Sequence, residues 1–200
     1  MKNDASSVLF RRLPYMLSPQ LDIYENLPPF IRGKNRVLEV GFGTGAGVLQ
    51  YARAANHVTA IEVDPAAVRF AQQCFPLENV RWQEADIVAD DLTQTIYGDF
   101  DFVVMIEVLE HIEFVNLALV NVRTLLAPGS HALIAVPNKL RDRRKKDDPD
   151  PWIIHEWDAV EFHGILLDLF DDVRFLSFEL RELGGIPSIG TATPLIALCS

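Results

Sequence analysis

Two hundred residues with 49% hydrophobic content fit one globular domain, long enough for a full sheet covered by helices on both faces. A formal net charge of −10 argues against a broad nucleic-acid-binding face, because phosphate contacts need clustered Lys and Arg. No apolar run is long enough to span a bilayer, and the start, MKNDASSVLFRRLP, lacks the apolar core of a signal peptide, so a cytoplasmic protein without membrane contact is expected. The two cysteines, Cys74 and Cys199, show neither metal spacing nor a disulfide framework.

Residues 1–17 read as an irregular arm carrying Arg11, Arg12, Tyr15 and Met16. Ser18-Pro19 opens a short helix, with Ser as N-cap and Pro at the first helical position, and Leu27-Pro28-Pro29-Phe30 stops it. The chain is then organised around Arg36 to Gly47, RVLEVGFGTGAG. A buried strand, Val37 to Val40, breaks into Gly41-Phe42-Gly43-Thr44-Gly45 and continues into VLQYARAA, which has helical character. This is the usual first unit of a nucleotide-binding α/β sheet. The glycines allow a sharp turn and leave room for a ligand against the main chain, beside a helix N-terminus with unpaired N–H groups.

Two ligand classes fit this stretch. Gly41, Gly43 and Ala46 satisfy the dinucleotide fingerprint G-x-G-x-x-G/A, which points to NAD. Glu39, just before the turn, suits a ligand with an ammonium group at that end and disfavours a pyrophosphate there. S-adenosylmethionine has the ammonium group and no phosphate.

A second buried strand is expected over His57–Val63, followed by a helix from Ala66 to Cys74 that Asp64-Pro65 opens. Asp64 directly precedes the proline and reads as an N-cap. Glu62 lies at the strand's carboxyl end, about 20 residues beyond the glycines, where a carboxylate accepts ribose hydroxyls. Its plainer role is an exposed strand-end charge. A third strand covers Val80–Glu84, and a weak helix or loop leads to Tyr97. The fourth strand, Phe100–Ile106, is too apolar to face water on either side. It runs into Glu107-Val108-Leu109-Glu110-His111-Ile112 and a helix to about Leu126, stopped by the turn Ala127-Pro128-Gly129-Ser130.

The fifth strand is His131–Val136. Residues 139–150, KLRDRRKKDDPD, form a charge-dense loop: a solvated connection, or a lid or docking patch for an acidic substrate or carrier. Asp158-Ala159-Val160-Glu161 is a capping box for a helix whose apolar positions are Phe162, Ile165, Leu166 and Leu169. Val173–Phe178 and Pro194–Cys199 read as strands joined through a Gly184-Gly185-Ile186-Pro187 turn.

From Arg36 to about Leu180 the chain resembles the class I S-adenosylmethionine-dependent methyltransferases. VLEVGFGTG stands at their motif I, AIEVDP holds the ribose acid, QEADI the adenine acid, and FDFVVMIEVLEHI and LLAPGSHALIAVPN the fourth and fifth strands. The resemblance is strongest to the small-molecule branch with an EVLEH motif and a later HEW segment, here His155-Glu156-Trp157. Ubiquinone-pathway O-methyltransferases and small-RNA 3′-end 2′-O-methyltransferases share that look. The implied fold is α/β: a single-domain, Rossmann-like class I methyltransferase fold with a mostly parallel seven-stranded sheet and an antiparallel C-terminal strand. Residues 1–35 would form the arm and first helix, and 36–200 the cofactor-binding and catalytic core. A dinucleotide dehydrogenase would also need a separate substrate domain, for which no residues remain.

The resemblance implies S-adenosylmethionine as cofactor, with S-adenosylhomocysteine as product, held by Glu39, Gly41, Phe42, Gly43, Gly45, Glu62, Val63, Asp86, Ile87, Met105 and Glu107. Asp86 would accept from the adenine amino group with Ile87 against the ring, or else cap its own loop. The expected reaction is methylation, at oxygen, of a small-molecule or carrier-bound acceptor. A non-catalytic binding module, an RNA 2′-O-methyltransferase and an NAD-binding oxidoreductase are the alternatives. A hydroxyl acceptor is helped by a base near neutrality, for which His111 and His155 are the candidates; a core or surface role is the alternative for each. Glu107, Glu110 and His111, one turn apart, are an alternative divalent-metal site, for which His155 is the nearest candidate fourth ligand, with Ile153 two residues before it; the expectation is a metal-independent enzyme.

Overall fold

The computed structural model describes residues 19–140, 152–187 and 194–200. The arm at 1–17, the Ser18 cap and the charged loop from 141 to 150 therefore lie outside the described residues, as does the stretch 188–193 after the glycine turn.

The elements alternate as the apolar patterning requires. Helix α1 (Pro19–Asn26) and the single turn α2 (Pro28–Ile31) precede strand β1 (Arg36–Val40). LPPF ends α1 as expected, but its prolines also start α2, since Pro at the first helical positions has no N–H to lose. Helix α3 (Ala46–Tyr51) runs into a 3₁₀ turn at Ala52–Ala54. Strand β2 (His57–Glu62), helix α4 (Pro65–Cys74), strand β3 (Val80–Glu84) and the short α5 (Leu92–Thr95) follow. Strand β4 (Phe100–Ile106) leads through a 3₁₀ turn to α6 (Val115–Leu125), and strand β5 (Leu126–Val136) starts immediately after it. Helix α7 (Ala159–Leu167), strand β6 (Val173–Leu176) and strand β7 (Leu195–Cys199) complete the chain.

The seven strands form one sheet in the order β3-β2-β1-β4-β5-β7-β6. The pairs from β3 to β5 are parallel, whereas β7 runs antiparallel to both β5 and β6. This is the expected class I methyltransferase fold. Apolar residues fill both faces of the central strands because helices cover both sides. Leu38, Val40, Val103, Met105 and Ile134 pack under α6 and α7. Val37, Phe102, Val104 and Leu133 pack under α1 and α3. Among the described residues no helix is long and apolar enough to cross a membrane.

Three expected boundaries are corrected. The helix expected to start at Glu107 is instead a left-handed residue (Glu107, φ +55°), a 3₁₀ turn at Leu109–His111 and then α6. The expected turn at Ala127–Ser130 lies within β5: pairing jumps from Phe100–Leu126 to Phe102–His131, so these residues bulge out of the ladder, with Gly129 at φ +75°. The sixth strand also stops at Leu176 rather than Phe178, because Ser177 turns back to accept and donate across to Arg181.

Candidate active site

The order reverses between β1 and β4, and the crevice at the carboxyl ends of strands at such a point is where α/β sheets hold ligands. The glycine turn occupies that position. Gly41 donates its N–H to the Ile61 carbonyl (2.8 Å) and Gly45 to Phe42 (2.9 Å). Gly41 has φ +71°, and a Cβ there would stand 2.5 Å from a Val108 methyl, so this glycine makes room for the segment after β4. Phe42 is buried edge-on against Trp82 at 4.9 Å.

Glu62, at the end of β2, fastens the turn. Its Oε2 accepts from the Gly43 N–H (2.9 Å), and its Oε1 from Val63 (2.9 Å) and Asp64 (3.2 Å). A carboxylate has about four acceptor positions, so one remains for an outside donor. Asp64, two residues on, caps α4 by accepting from Ala66 (2.8 Å), as expected. Val63 between them is exposed. Asp86, after β3, is exposed and its Oδ1 accepts from Val88 (3.0 Å), the loop-capping arrangement. Ile87 beside it is buried, and its carbonyl is held by Asn121 of α6 (2.7 Å). Met105 is fully buried in β4 opposite Val40.

Glu39 stands apart. It is fully buried at the end of β1, flanked across the sheet by Ala60 and Val104. Tyr24 of α1 donates to its Oε1 (2.6 Å) and Tyr51 of α3 to its Oε2 (2.8 Å). The two tyrosine rings stack at 6.3 Å. Burial pushes the carboxyl up to about 8, against the two hydroxyl bonds, which act to lower it.

Beyond β4, two stretches distant in sequence meet. The Glu110 carbonyl accepts from the backbone N–H of Ile154 (2.9 Å) and His155 (3.1 Å). His111 Nδ1 lies 2.6 Å from the Trp152 carbonyl, and its Nε2 lies 3.7 Å from Glu110 Oε1. The segment continues beside β5, where Lys139 donates its N–H to the Trp157 carbonyl (3.0 Å). His155 stacks on Trp157 at 5.5 Å, and its Nε2 is buried with no hydrogen-bond partner. Both candidate histidines thus sit on one small assembly, one ring tied and the other with an open nitrogen. Among the described residues no three His, Cys, Asp or Glu side chains converge as a metal site would require.

Residues 10–179 match the methyltransferase-domain family. The chain belongs to this family. An uncharacterised methyltransferase of Mycobacterium tuberculosis is 37% identical over 97 residues, 48% of each chain. An O-methyltransferase of Aspergillus nomiae is 32% identical over 108 residues, 52% of this chain and 47% of its own. This chain spans about half the length of the curated relatives it matches. The N-methyltransferase NodS from Bradyrhizobium japonicum, solved with S-adenosylhomocysteine, superposes with a TM-score of 0.66 over 98% of each chain at 20% identity, a likeness of fold.

Within this methyltransferase domain, several residues at the site had no sequence signal strong enough to single them out. Tyr24 precedes the glycine turn by too many residues for any local pattern to pair it with Glu39. A Cβ at Gly47 would stand 2.5 Å from the Tyr24 ring, so the motif's last glycine is the seat of α1. Val108 and Asn121 show their roles only once β4 lies beside β1.

Proposed function

We propose that the chain is an S-adenosylmethionine-dependent methyltransferase acting on a small-molecule or carrier-bound acceptor, with oxygen as the atom methylated. The observation that carries the reading is Glu62, whose carboxylate is fixed at the carboxyl end of β2 against the Gly43 amide with an acceptor position left over. A neutral, hydroxyl-rich ribose suits that acceptor, whereas a pyrophosphate beside it would meet a carboxylate. The residues fit the cofactor. Glu62 would take the ribose, Asp86 and Ile87 the adenine, and the Gly41–Gly45 turn with Phe42, Val63, Met105 and Glu107 would enclose the rest, with Glu39 at the ammonium end.

Bound S-adenosylmethionine supplies a methyl group already activated on a sulfonium. The chain's own task is to hold the acceptor oxygen in line, and positioning of this kind is worth about 7–11 kcal/mol. Of the two candidate bases, His111 is held through Nδ1 by the Trp152 carbonyl, which would leave its Nε2 to act, and the other is His155, whose Nε2 is buried with no hydrogen-bond partner. Exposed Trp152 and Ile154 next to it suit an acceptor with an apolar body. The O-methyltransferase of Aspergillus nomiae supports oxygen as the target, and the acidic balance of the chain supports a small acceptor over a nucleic acid.

Calorimetric titration with S-adenosylhomocysteine and with NAD tests the reading. S-adenosylhomocysteine should bind and NAD should not. Glu62→Ala removes a charged acceptor worth about 1.5–3 kcal/mol and should weaken S-adenosylhomocysteine roughly 10–200-fold. NAD binding with no response to S-adenosylhomocysteine would sink the proposal.

A further inference from the structure

A helix lying on the outside of a sheet carries polar or charged side chains on its outer face. Helix α4 does so, exposing Arg69, Gln72 and Gln73. Helix α6 does not. Ala118, Leu119, Val122 and Leu125 face the core, and the opposite face shows Leu117 and Val120, 37% and 41% exposed, with Phe114 at its start 59% exposed. Thr124, one turn beyond Val120, donates its hydroxyl back to the Val120 carbonyl (2.8 Å), so its donor is used within the helix. A Cβ on Gly98 would stand 3.7 Å from the Thr124 carbonyl oxygen, which sets the exposed Tyr97 beside the carboxyl end of α6. Within α6 the one charged residue is Arg123.

The charges that border this face indicate what it fits. Glu113 stands just before α6 and Arg123 in its last turn, and among the described residues neither makes a hydrogen bond or ion pair through its side chain. Opposite charges at opposite ends of an apolar stripe make the face self-complementary. When two such helices lie antiparallel across a two-fold axis, each acid meets the other copy's arginine, and Leu117 and Val120 fall on either side of the axis. The helix dipoles then also run in opposite directions. With a net charge of −10, two copies repel over most approaches, and a face whose charges cancel in pairs is where they can meet. The exposed parts of Phe114, Leu117, Val120 and Tyr97 amount to a few hundred Å² of apolar surface, the size that marks an interaction site on a single chain. That is roughly half of the ~800 Å² per partner that a standard interface buries, and Glu113, Asn116, Arg123 and Thr124 supply the polar rim.

We propose that the outer face of α6 docks a second copy of this chain, the two α6 helices packing antiparallel with Leu117 and Val120 at the centre and Glu113 paired with Arg123 of the partner subunit at each end. Phe114 then faces the end of the partner helix, where its Thr124 lies. The pairing uses no residue assigned to the cofactor, so it stands or falls apart from the reading of the crevice.

The test is sedimentation equilibrium of the full chain between about 1 and 100 μM, where a dimer of micromolar affinity is read directly. The wild type should pass from monomer to dimer over that range. Val120→Glu places an unpaired charge at the centre and should weaken the dimer at least about hundredfold, with the far-ultraviolet circular dichroism and unfolding temperature of the monomer unchanged because the site is on the surface. Glu113→Arg should weaken it through like charges, and the double variant Glu113→Arg with Arg123→Glu should restore it, since the swap keeps each pair opposite in sign. A chain that stays monomeric at every concentration overturns the proposal. If Val120→Glu also lowers the unfolding temperature of that monomer, the face belongs to another segment of the same chain. A dimer that Val120→Glu leaves intact places the interface elsewhere and overturns it as well, and a charge swap that fails to restore the dimer overturns the antiparallel pairing.

Discussion

Two glutamates at adjacent strand ends show how environment divides like residues. Glu62 is partly exposed and accepts three backbone N–H bonds, whereas Glu39 is sealed with two hydroxyls. Burial raises Glu39 from an ordinary value near 4.5 to about 8, so between those values the folded chain binds the proton that the unfolded chain has released. This group's contribution to stability is therefore complete below about pH 4.5, falls as pH rises, and is lost once pH passes about 8. Glu39→Gln keeps an oxygen for one tyrosine and removes the titration. Relative to the wild type, its unfolding free energy should rise between pH 5 and 8 by on the order of 1 kcal/mol per unit. Urea unfolding of both proteins across that range measures it, and a difference flat with pH would remove the buried proton from the account.

At the scale of elements, helix starts were legible because a cap is a local bond. Asp64 accepts from Ala66, and Asp158 and Glu161 exchange bonds as a full capping box, both as their spacing implies. Asp64→Ala should then cost about 1 kcal/mol of stability, measured by thermal or urea unfolding, and leave affinity for S-adenosylhomocysteine nearly unchanged. A large loss of affinity with unaltered stability would place Asp64 in the site instead. The stretch from Glu107 to His111 was not legible in the same way. Its apolar spacing reads as helix, but Glu107 donates to Ala135 of the neighbouring strand and Glu110 receives the backbone of Ile154 and His155, and these distant bonds impose a left-handed residue and a 3₁₀ turn. The bulge at Ala127–Ser130 has the same origin. Pro and Gly predict a turn there, yet the chain has to start β5 at once after α6.

At the scale of the molecule, alternating apolar runs and helical stretches point to a parallel sheet, and the glycine turn marks its first unit. The seven-stranded, mostly parallel sheet with an antiparallel C-terminal strand came through the family resemblance, whereas the insertion of β7 between β5 and β6 was not legible, because nothing local to Leu195–Cys199 specifies a partner. The same division holds for the site. The acids at the ends of β1 and β2 could be named from their distance to the glycines. The Tyr24–Glu39–Tyr51 cluster and the docking of His155 beside Glu110 depend on contacts between remote segments.

The central claim is that this crevice holds S-adenosylmethionine by its ribose at Glu62. A crystal structure of the S-adenosylhomocysteine complex tests it most directly. The account predicts a ribose hydroxyl within hydrogen-bond distance of the Glu62 carboxylate, with the longer Asp64 amide bond (3.2 Å) the one that yields if both hydroxyls bind. A ribose bound elsewhere, with Glu62 still closed on its three amides, would contradict it.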